Sequence, residues 1–125
     1  MGRPRVDLEY AAFYPEVRSV TLSSGSSLSP GIDLDGLTLV GILMPSTWDG
    51  TAITFQASIN GTAWFDLYDA AGNEVILSVA PSWYIQIDPR RFAGIRYLRI
   101  RSGTSSSPVN QTASRVLQLI LAAPR

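Results

Sequence analysis

Hydrophobic and polar residues alternate over several short segments, and clusters of glycine, proline and serine separate these segments. In residues 52–58, Ile53, Phe55 and Ala57 would face one side of a strand and the intervening polar residues the other. No segment shows a sustained helical period. The pattern predicts eight strands, at residues 17–22, 37–44, 52–58, 63–68, 74–79, 83–88, 96–101 and 115–121.

Turn signals lie between these segments. Asn60-Gly61 predicts a hairpin because both residues tolerate positive φ, Asp69 to Asn73 predicts a second turn, and Pro89 to Gly94 predicts one short helical turn. Closely spaced strands in a chain of 125 residues favour an all-β, eight-stranded antiparallel jelly-roll β-sandwich over a seven-stranded immunoglobulin-type sandwich. We therefore expect a single sandwich domain at residues 17–125, preceded by an N-terminal arm at residues 1–16.

The predicted arm is apolar and aromatic, with Tyr10, Phe13 and Tyr14 as its large side chains. One hypothesis is that the arm folds back and covers a sheet edge of its own domain. The other is that it extends to a neighbouring subunit, which makes these three residues candidate subunit-interface residues.

The charge balance bears on the partners. The chain is 46% hydrophobic and 16% charged and has a formal net charge of zero, and a sparsely charged, neutral surface tends to associate. No basic excess is present to neutralise phosphates, so nucleic acid is not an expected partner. The chain has no apolar run long enough to span a membrane and no apolar signal-peptide core near Met1. We therefore expect synthesis in the cytoplasm without classical secretion.

The types of side chain present limit the catalytic and metal-binding chemistry that the chain can perform. All ten basic residues are arginine, and histidine, lysine and cysteine are absent. This excludes Ser-His-Asp and Cys-His nucleophiles and histidine or thiolate zinc sites. The remaining acid–base groups include Asp33, Asp35, Asp66, Asp69 and Glu74, but no calcium loop with spaced ligands is present, and turn chemistry explains several of them equally well. We expect no catalytic residues, no metal and no cofactor.

Four residues are candidates for surface binding or an interface: Trp48, Tyr97, Arg99 and Arg101. In segment 96–101, the side chains of Tyr97, Arg99 and Arg101 are predicted to point outward and those of Leu98 and Ile100 inward. The arginines suit acidic sugars or a partner's carboxylates, or they pair locally with Asp66 or Asp88. Trp48 lies in a turn and suits either sugar stacking or an interface or core anchor.

Two motifs resemble a known family. Residues 53–64, Ile-Thr-Phe-Gln-Ala-Ser-Ile-Asn-Gly-Thr-Ala-Trp, resemble the hairpin of discoidin-like, galactose-binding-like jelly rolls, and Arg96-Tyr97-Leu98-Arg99-Ile100 resembles a strand of the same superfamily. The stretch from Leu39 to Leu121 is similar to small proteins of tailed bacteriophages and prophages. Its characteristic segments are 40–45, 64–74 and 92–104.

The resemblance implies a virion-associated protein that decorates a particle or binds a surface. Our first hypothesis is a non-enzymatic structural protein of a bacteriophage particle, such as a capsid decoration or cement protein or a small head or tail appendage. Its partners would be the major capsid protein or other virion proteins, and it would form a homo-oligomer, with a trimer favoured. The alternative is a carbohydrate-binding module that contacts a cell-surface glycan of the host.

Overall fold

Nine β-strands and one 3₁₀ turn make up the regular structure of the protein in a computed structural model that describes residues 15–123. In the described residues no helix is long and apolar enough to cross a membrane. The strands are β1 (Pro15–Leu22), β2 (Ile32–Asp33), β3 (Thr38–Leu43), β4 (Ala52–Ser58), β5 (Phe65–Asp66), β6 (Leu77–Ser78), β7 (Tyr84–Gln86), β8 (Tyr97–Ser102) and β9 (Arg115–Ala122), and the 3₁₀ turn is Pro89–Arg91.

The strands form two antiparallel sheets. The four-stranded sheet has the order β1-β9-β3-β7, and the five-stranded sheet has the order β2-β8-β4-β5, with β6 pairing to β4. The pairs β1–β9, β2–β8, β3–β7 and β4–β5 are nested, as in one long hairpin that is wrapped into two sheets, which is the jelly-roll arrangement. The predicted all-β jelly-roll sandwich is confirmed, with nine strands in the described residues where eight were predicted.

The hydrophobic core lies between the sheets and is filled by the alternate residues that the pattern marks as inward-facing. Ile53 and Phe55 of β4 are fully buried, and Leu98 and Ile100 of β8 lie beside them. Phe55 also packs edge-to-face on Phe92, with ring centroids 4.8 Å apart. The four-stranded sheet contributes Leu39, Ile42, Leu117, Leu119 and Leu121 from the opposite side.

Several element boundaries differ from the prediction. The ninth strand, β2, lies in a segment predicted as a turn, because Ile32 and Asp33 pair with Leu98 and Tyr97 at the sheet edge. Asn60-Gly61 does not form a two-residue hairpin: residues 59–64 form a longer loop, in which Asn60 Oδ1 accepts hydrogen bonds from the backbone amides of Thr62 and Ala63. The side-chain acceptor offers the backbone an alternative to the tight turn.

The strand predicted at 74–79 is regular only at Leu77–Ser78, where it pairs with β4. The turn predicted between Asp69 and Asn73 is present, since the Asp69 amide donates to the Asn73 carbonyl at 2.8 Å. The helical turn predicted near Pro89 is also present, with the Asp88 carboxylate accepting from the Arg90 amide at its start.

The first strand begins at Pro15, two residues before the predicted start, so Pro15 and Glu16 of the predicted arm belong to β1. The remainder of the arm, with Tyr10, Phe13 and Tyr14, lies outside the described residues.

Candidate functional site

Arg101 lies on the outer face of the five-stranded sheet, the face that points away from the core. Its side chain points outward as predicted, but it is only 7% exposed. It forms ion pairs with Asp66 and with Glu74, the latter at 3.3 Å, and it donates to Thr54 Oγ1 at 3.3 Å. The local pairing with Asp66 is confirmed, whereas Arg101 is not available as a surface-binding residue, because the segment that connects β5 to β6 covers it.

The two carboxylates connect Arg101 to the surrounding loops. The Arg101 guanidinium, through its hydrogen bond, holds the pKa of Asp66 below its ordinary value, although burial opposes the shift. Glu74 also accepts from the Ser105 amide at 3.1 Å, which fastens the loop after β8. This cluster of Arg101, Asp66, Glu74 and Thr54 stabilises the fold, and all of its charges are partnered internally.

Arg99, two residues before Arg101, packs on an aromatic side chain. Its guanidinium carbon lies 4.3 Å from the centre of the Trp64 ring, which is a cation–π contact. Its Nη1 atom donates to Gln56 Oε1 at 3.5 Å. The same indole packs on the backbone of Gly31, where an added Cβ would lie 2.7 Å from its Cζ2 atom. Trp64 is therefore enclosed by its own chain and does not offer an open shelf for a sugar ring.

Tyr97 is half-buried and lies under an ion pair. The Arg96 guanidinium carbon is 5.1 Å from the Tyr97 ring centre, and its nitrogens donate to both carboxylate oxygens of Asp33 at 2.7 and 3.1 Å. This bidentate bond lowers the pKa of Asp33 and raises the pKa of Arg96. Because Asp33 and Arg96 are both exposed, the pair contributes little to folding and leaves the charged atoms in contact with solvent.

Trp48 belongs to the core, which corrects its assignment as a surface candidate. It is 7% exposed and packs in the main hydrophobic cluster, because the turn that carries it folds over one end of the sandwich. The neighbouring Asp49 fixes that turn to β9: its Oδ2 accepts from the Thr112 amide at 2.8 Å and from Arg115 at 3.2 Å. The Thr112 and Arg115 hydrogen bonds lower the pKa of Asp49.

A groove at the edge of the five-stranded sheet brings together residues that the sequence did not indicate. It lies beside β5, has a volume of about 540 Å³, and is lined mainly by apolar side chains, with Asp66 and Arg96 at its rim. Ile59 is 92% exposed, Phe65 67% and Tyr68 52%, and Ile95 forms part of the floor. We call this surface, defined by Ile59, Phe65, Tyr68 and Ile95, the edge groove.

The edge groove arises from the shortness of β5. Phe65 is paired with Ala57, whose side chain points toward the core, so alternation also directs Phe65 to that side. At a sheet edge only two residues long, however, the opposite sheet does not extend far enough to cover it. The alternation of residues would have predicted that Phe65 faces the inner side. The sequence does not show where the facing sheet ends, so it did not predict that Phe65 is exposed.

The resolved pKa shifts of the described carboxyl groups are all in one direction. Every carboxyl group of the described chain with a resolved shift, namely Asp33, Asp49, Asp66 and Asp88, has a lowered pKa, in each case with an arginine among the causes. A general acid needs a raised pKa instead. Among residues 15–123 no cluster of three or more acidic side chains is arranged to hold a metal ion.

Comparisons with known proteins give similarity of fold. No protein-family model matches the chain, and no curated protein sequence matches it either. Among solved structures, the SPBc2 prophage-derived protein YomS superposes with a TM-score of 0.52 at 15% identity, over 87% of this chain and 95% of that one. The Yersinia pseudotuberculosis-derived mitogen is more distant, with a TM-score of 0.41 at 9% identity over 88% of this chain and 86% of that one. The chain thus shares its β-sandwich fold with a prophage-derived protein.

Proposed function

We propose that the protein is a non-enzymatic structural component of a bacteriophage particle, acting as a capsid decoration or cement protein or as a small head or tail appendage. The observation that carries the proposal is the edge groove, where Ile59, Phe65 and Tyr68 are all more than half exposed. Large aromatic and aliphatic side chains in a concave surface are the residues that dominate protein–protein binding. The groove is the surface that we assign to a virion partner.

The distribution of charge supports packing as the mode of action. Six ion pairs join arginines and carboxylates within the described part of the chain, among them the buried pairs of Arg101. Because these charged groups are paired within the chain, we expect the apolar surfaces to mediate binding to partners. Because the net charge is zero, the electrostatic repulsion between neighbouring copies is also small.

The phage context comes from two observations of different kinds. The segments 40–45, 64–74 and 92–104 resemble small proteins of tailed phages, and the fold is shared with a prophage-derived protein. On this proposal the protein is made in the bacterial cytoplasm and ends in the virion, with the major capsid protein or another virion protein as its partner. It forms a closed homo-oligomer, of which a trimer on a local three-fold axis is the simplest form.

The test uses particles of the phage that encodes the chain, purified from an induced lysate and analysed by quantitative mass spectrometry. Many copies per particle are expected. Phe65→Ser should reduce incorporation about tenfold or more, because it removes a central aromatic anchor. Ile76→Ser is the matched control, since Ile76 is 46% exposed but does not line the groove.

Absence of the chain from particles, or equal incorporation of the Phe65 and Ile76 variants, would overturn the assignment of the groove to a virion partner. A glycan array with the same three proteins addresses the alternative. Binding of a bacterial surface glycan by a protein present in few copies would favour a carbohydrate-binding module, whose candidate residues on this fold are Tyr97 and Arg99.

A further inference from the structure

The outer face of the four-stranded sheet is uncharged in the described residues and mixes apolar with neutral polar side chains. In the register of β1, β9, β3 and β7, the residues that alternate with the core positions point away from the sandwich, and within the described residues none of them is charged. Val17 is 59% exposed, Tyr84 65%, Val116 45% and Leu43 39%. The outward positions are Pro15, Val17, Ser19, Thr21, Val116, Gln118, Ile120, Ala122, Thr38, Gly41, Leu43, Tyr84 and Gln86.

A groove of about 510 Å³ on this face is lined by residues of all four strands. It starts at Pro15 on the edge strand β1, passes over Ala122 and Val40, and ends at Gln86 on β7 and at Pro89 in the 3₁₀ turn. We call it the cross-strand groove. It lies on the opposite sheet from the edge groove and shares no lining residue with it.

A second copy of the chain is a poor occupant of the cross-strand groove. Four strands about 4.8 Å apart and roughly 20 Å long present a face of roughly 400 Å². Two such faces in contact would bury roughly 800 Å² in total, whereas stable protein–protein interfaces begin at about 1,200 Å². An occupant already tethered to the protein needs far less area, because its effective concentration at the face is high.

Such a tethered segment begins at the groove. Pro15 lines its first end, so the fourteen residues that precede Pro15 in the sequence are attached there. The nearest five, Tyr10 to Tyr14, are uncharged and include three aromatic residues. In extended form they span about 16 Å. The distance from β1 to β7 is three strand spacings, or about 14 Å, so the length of the uncharged segment matches the width of the uncharged face.

Charge complementarity gives the direction of crossing. Beyond Tyr10 the arm carries the acidic residues Glu9 and Asp7, which on this path would reach the far end of the groove. The 3₁₀ turn at that end presents Arg91, which is exposed and forms no ion pair with any residue of the described chain. Of the charged residues of the arm, Glu9 and Asp7 are the nearest to the groove along the sequence and would arrive beside an arginine, whereas Arg5 and Arg3 lie further away.

We propose that residues 1–14 of the same chain bind in the cross-strand groove, with Tyr10, Phe13 and Tyr14 against the outer face of the four-stranded sheet and Glu9 or Asp7 beside Arg91. The arm then covers the part of this face that lines the cross-strand groove, and the edge groove remains the surface for partners. This proposal does not depend on the phage function, since it concerns the isolated chain.

The absence of cysteine permits a direct test by disulfide trapping in the full-length protein. Ala11 is four residues from Pro15, about 13 Å along an extended chain, and should lie over β7. The double variant Ala11→Cys/Gln86→Cys is oxidised and analysed by non-reducing electrophoresis and peptide mapping. Ala11→Cys/Ala71→Cys is the matched control, since Ala71 lies in an exposed turn between β5 and β6 of the other sheet.

An intrachain disulfide in the first variant, formed about tenfold or more above the control, is the expected result, and Arg91→Glu should reduce its yield. A disulfide between two chains would show that the arm binds a neighbour and would overturn the proposal. Equal yields in the test and control variants would overturn it as well. Circular dichroism establishes that each variant is folded, so a low yield cannot be attributed to loss of structure.

Discussion

The outer faces of the two sheets are built from the same alternation but carry opposite chemistry. On the five-stranded sheet, Arg99 and Arg101 point outward and are held by Trp64, Asp66 and Glu74. On the four-stranded sheet, the outward positions among the described residues carry no charge. The first face is covered by segments of its own domain, whereas the second carries only neutral side chains, several of which, including Val17 and Tyr84, are exposed. An uncharged sheet face can accept a further apolar segment, as we propose for the N-terminal arm.

The largest difference between the faces should be seen on removal of Arg101. Arg101→Ala leaves Glu74 and Asp66 without their cation in a poorly solvated site, and we expect a loss of about 3 kcal/mol in the free energy of unfolding. Urea denaturation at neutral pH measures it. Arg90→Ala is the control, because Arg90 pairs with Asp88 at a fully solvated site and should cost less than about 1 kcal/mol.

Replacing the whole cluster sharpens the same measurement. In the triple variant Arg101→Met, Asp66→Asn, Glu74→Gln, no charge is left unpartnered, and much of the lost stability should return. A triple variant as unstable as Arg101→Ala would show that the hydrogen bonds of the guanidinium stabilise the face, and that unpartnered carboxylates are not the cause of the loss.

Lowering the pH should also affect the stability of the charged face, although by less than the removal of Arg101. The pKa of Asp66 is lowered in the folded protein, mainly by its hydrogen bond with Arg101, so its stabilising contribution is present above the unfolded pKa of about 3.9 and is lost as the pH falls through the folded value. Urea denaturation from pH 6 to pH 2 should show a smaller decrease in stability for Asp66→Asn than for the native sequence. An identical decrease for the two proteins would assign the acid sensitivity to the exposed carboxylates Asp33, Asp49 and Asp88.

The smallest effect is expected on the uncharged face. Val116 lies on β9 away from the cross-strand groove, and Val116→Thr keeps the branched shape that strands favour, so the change in stability should be within about 0.5 kcal/mol. Val20→Thr on the neighbouring β1 is the matched control, since it places a hydroxyl in the core and should cost about 1–3 kcal/mol. If the two variants lose equal stability, the Val116 end of this face is not open to solvent.

The sequence predicted most of the fold but few of the surface contacts. Alternation located β4 at residues 52–58 and the inward side chains of β8, because a period of two residues is a local property. It also predicted the outward direction of Arg101. It could not predict that residues from the β5–β6 segment cover Arg101, because that contact joins positions far apart in the chain.

The sequence did not indicate the edge groove and left two alternatives for Trp48, for the same physical reason. Whether a large apolar residue in a loop is buried depends on which loop folds over it. Trp48 is buried at one end of the sandwich, whereas Ile59 and Tyr68, at the edge of the five-stranded sheet, are exposed. All three are large apolar side chains outside the regular strands, so the sequence does not show which of them is buried. The three-dimensional arrangement of the strands decides this.

The nested strand order also determines when the protein can fold. Strand β9 is the partner of both β1 and β3, and it pairs Pro15 with Ala122. During synthesis the four-stranded sheet cannot be completed until residues 115–122 leave the ribosome. Most contacts therefore join distant parts of the chain, which is typical of slow folding. Until β9 is made, the strand that lies between β1 and β3 is missing, so the core residues of this sheet cannot be fully buried.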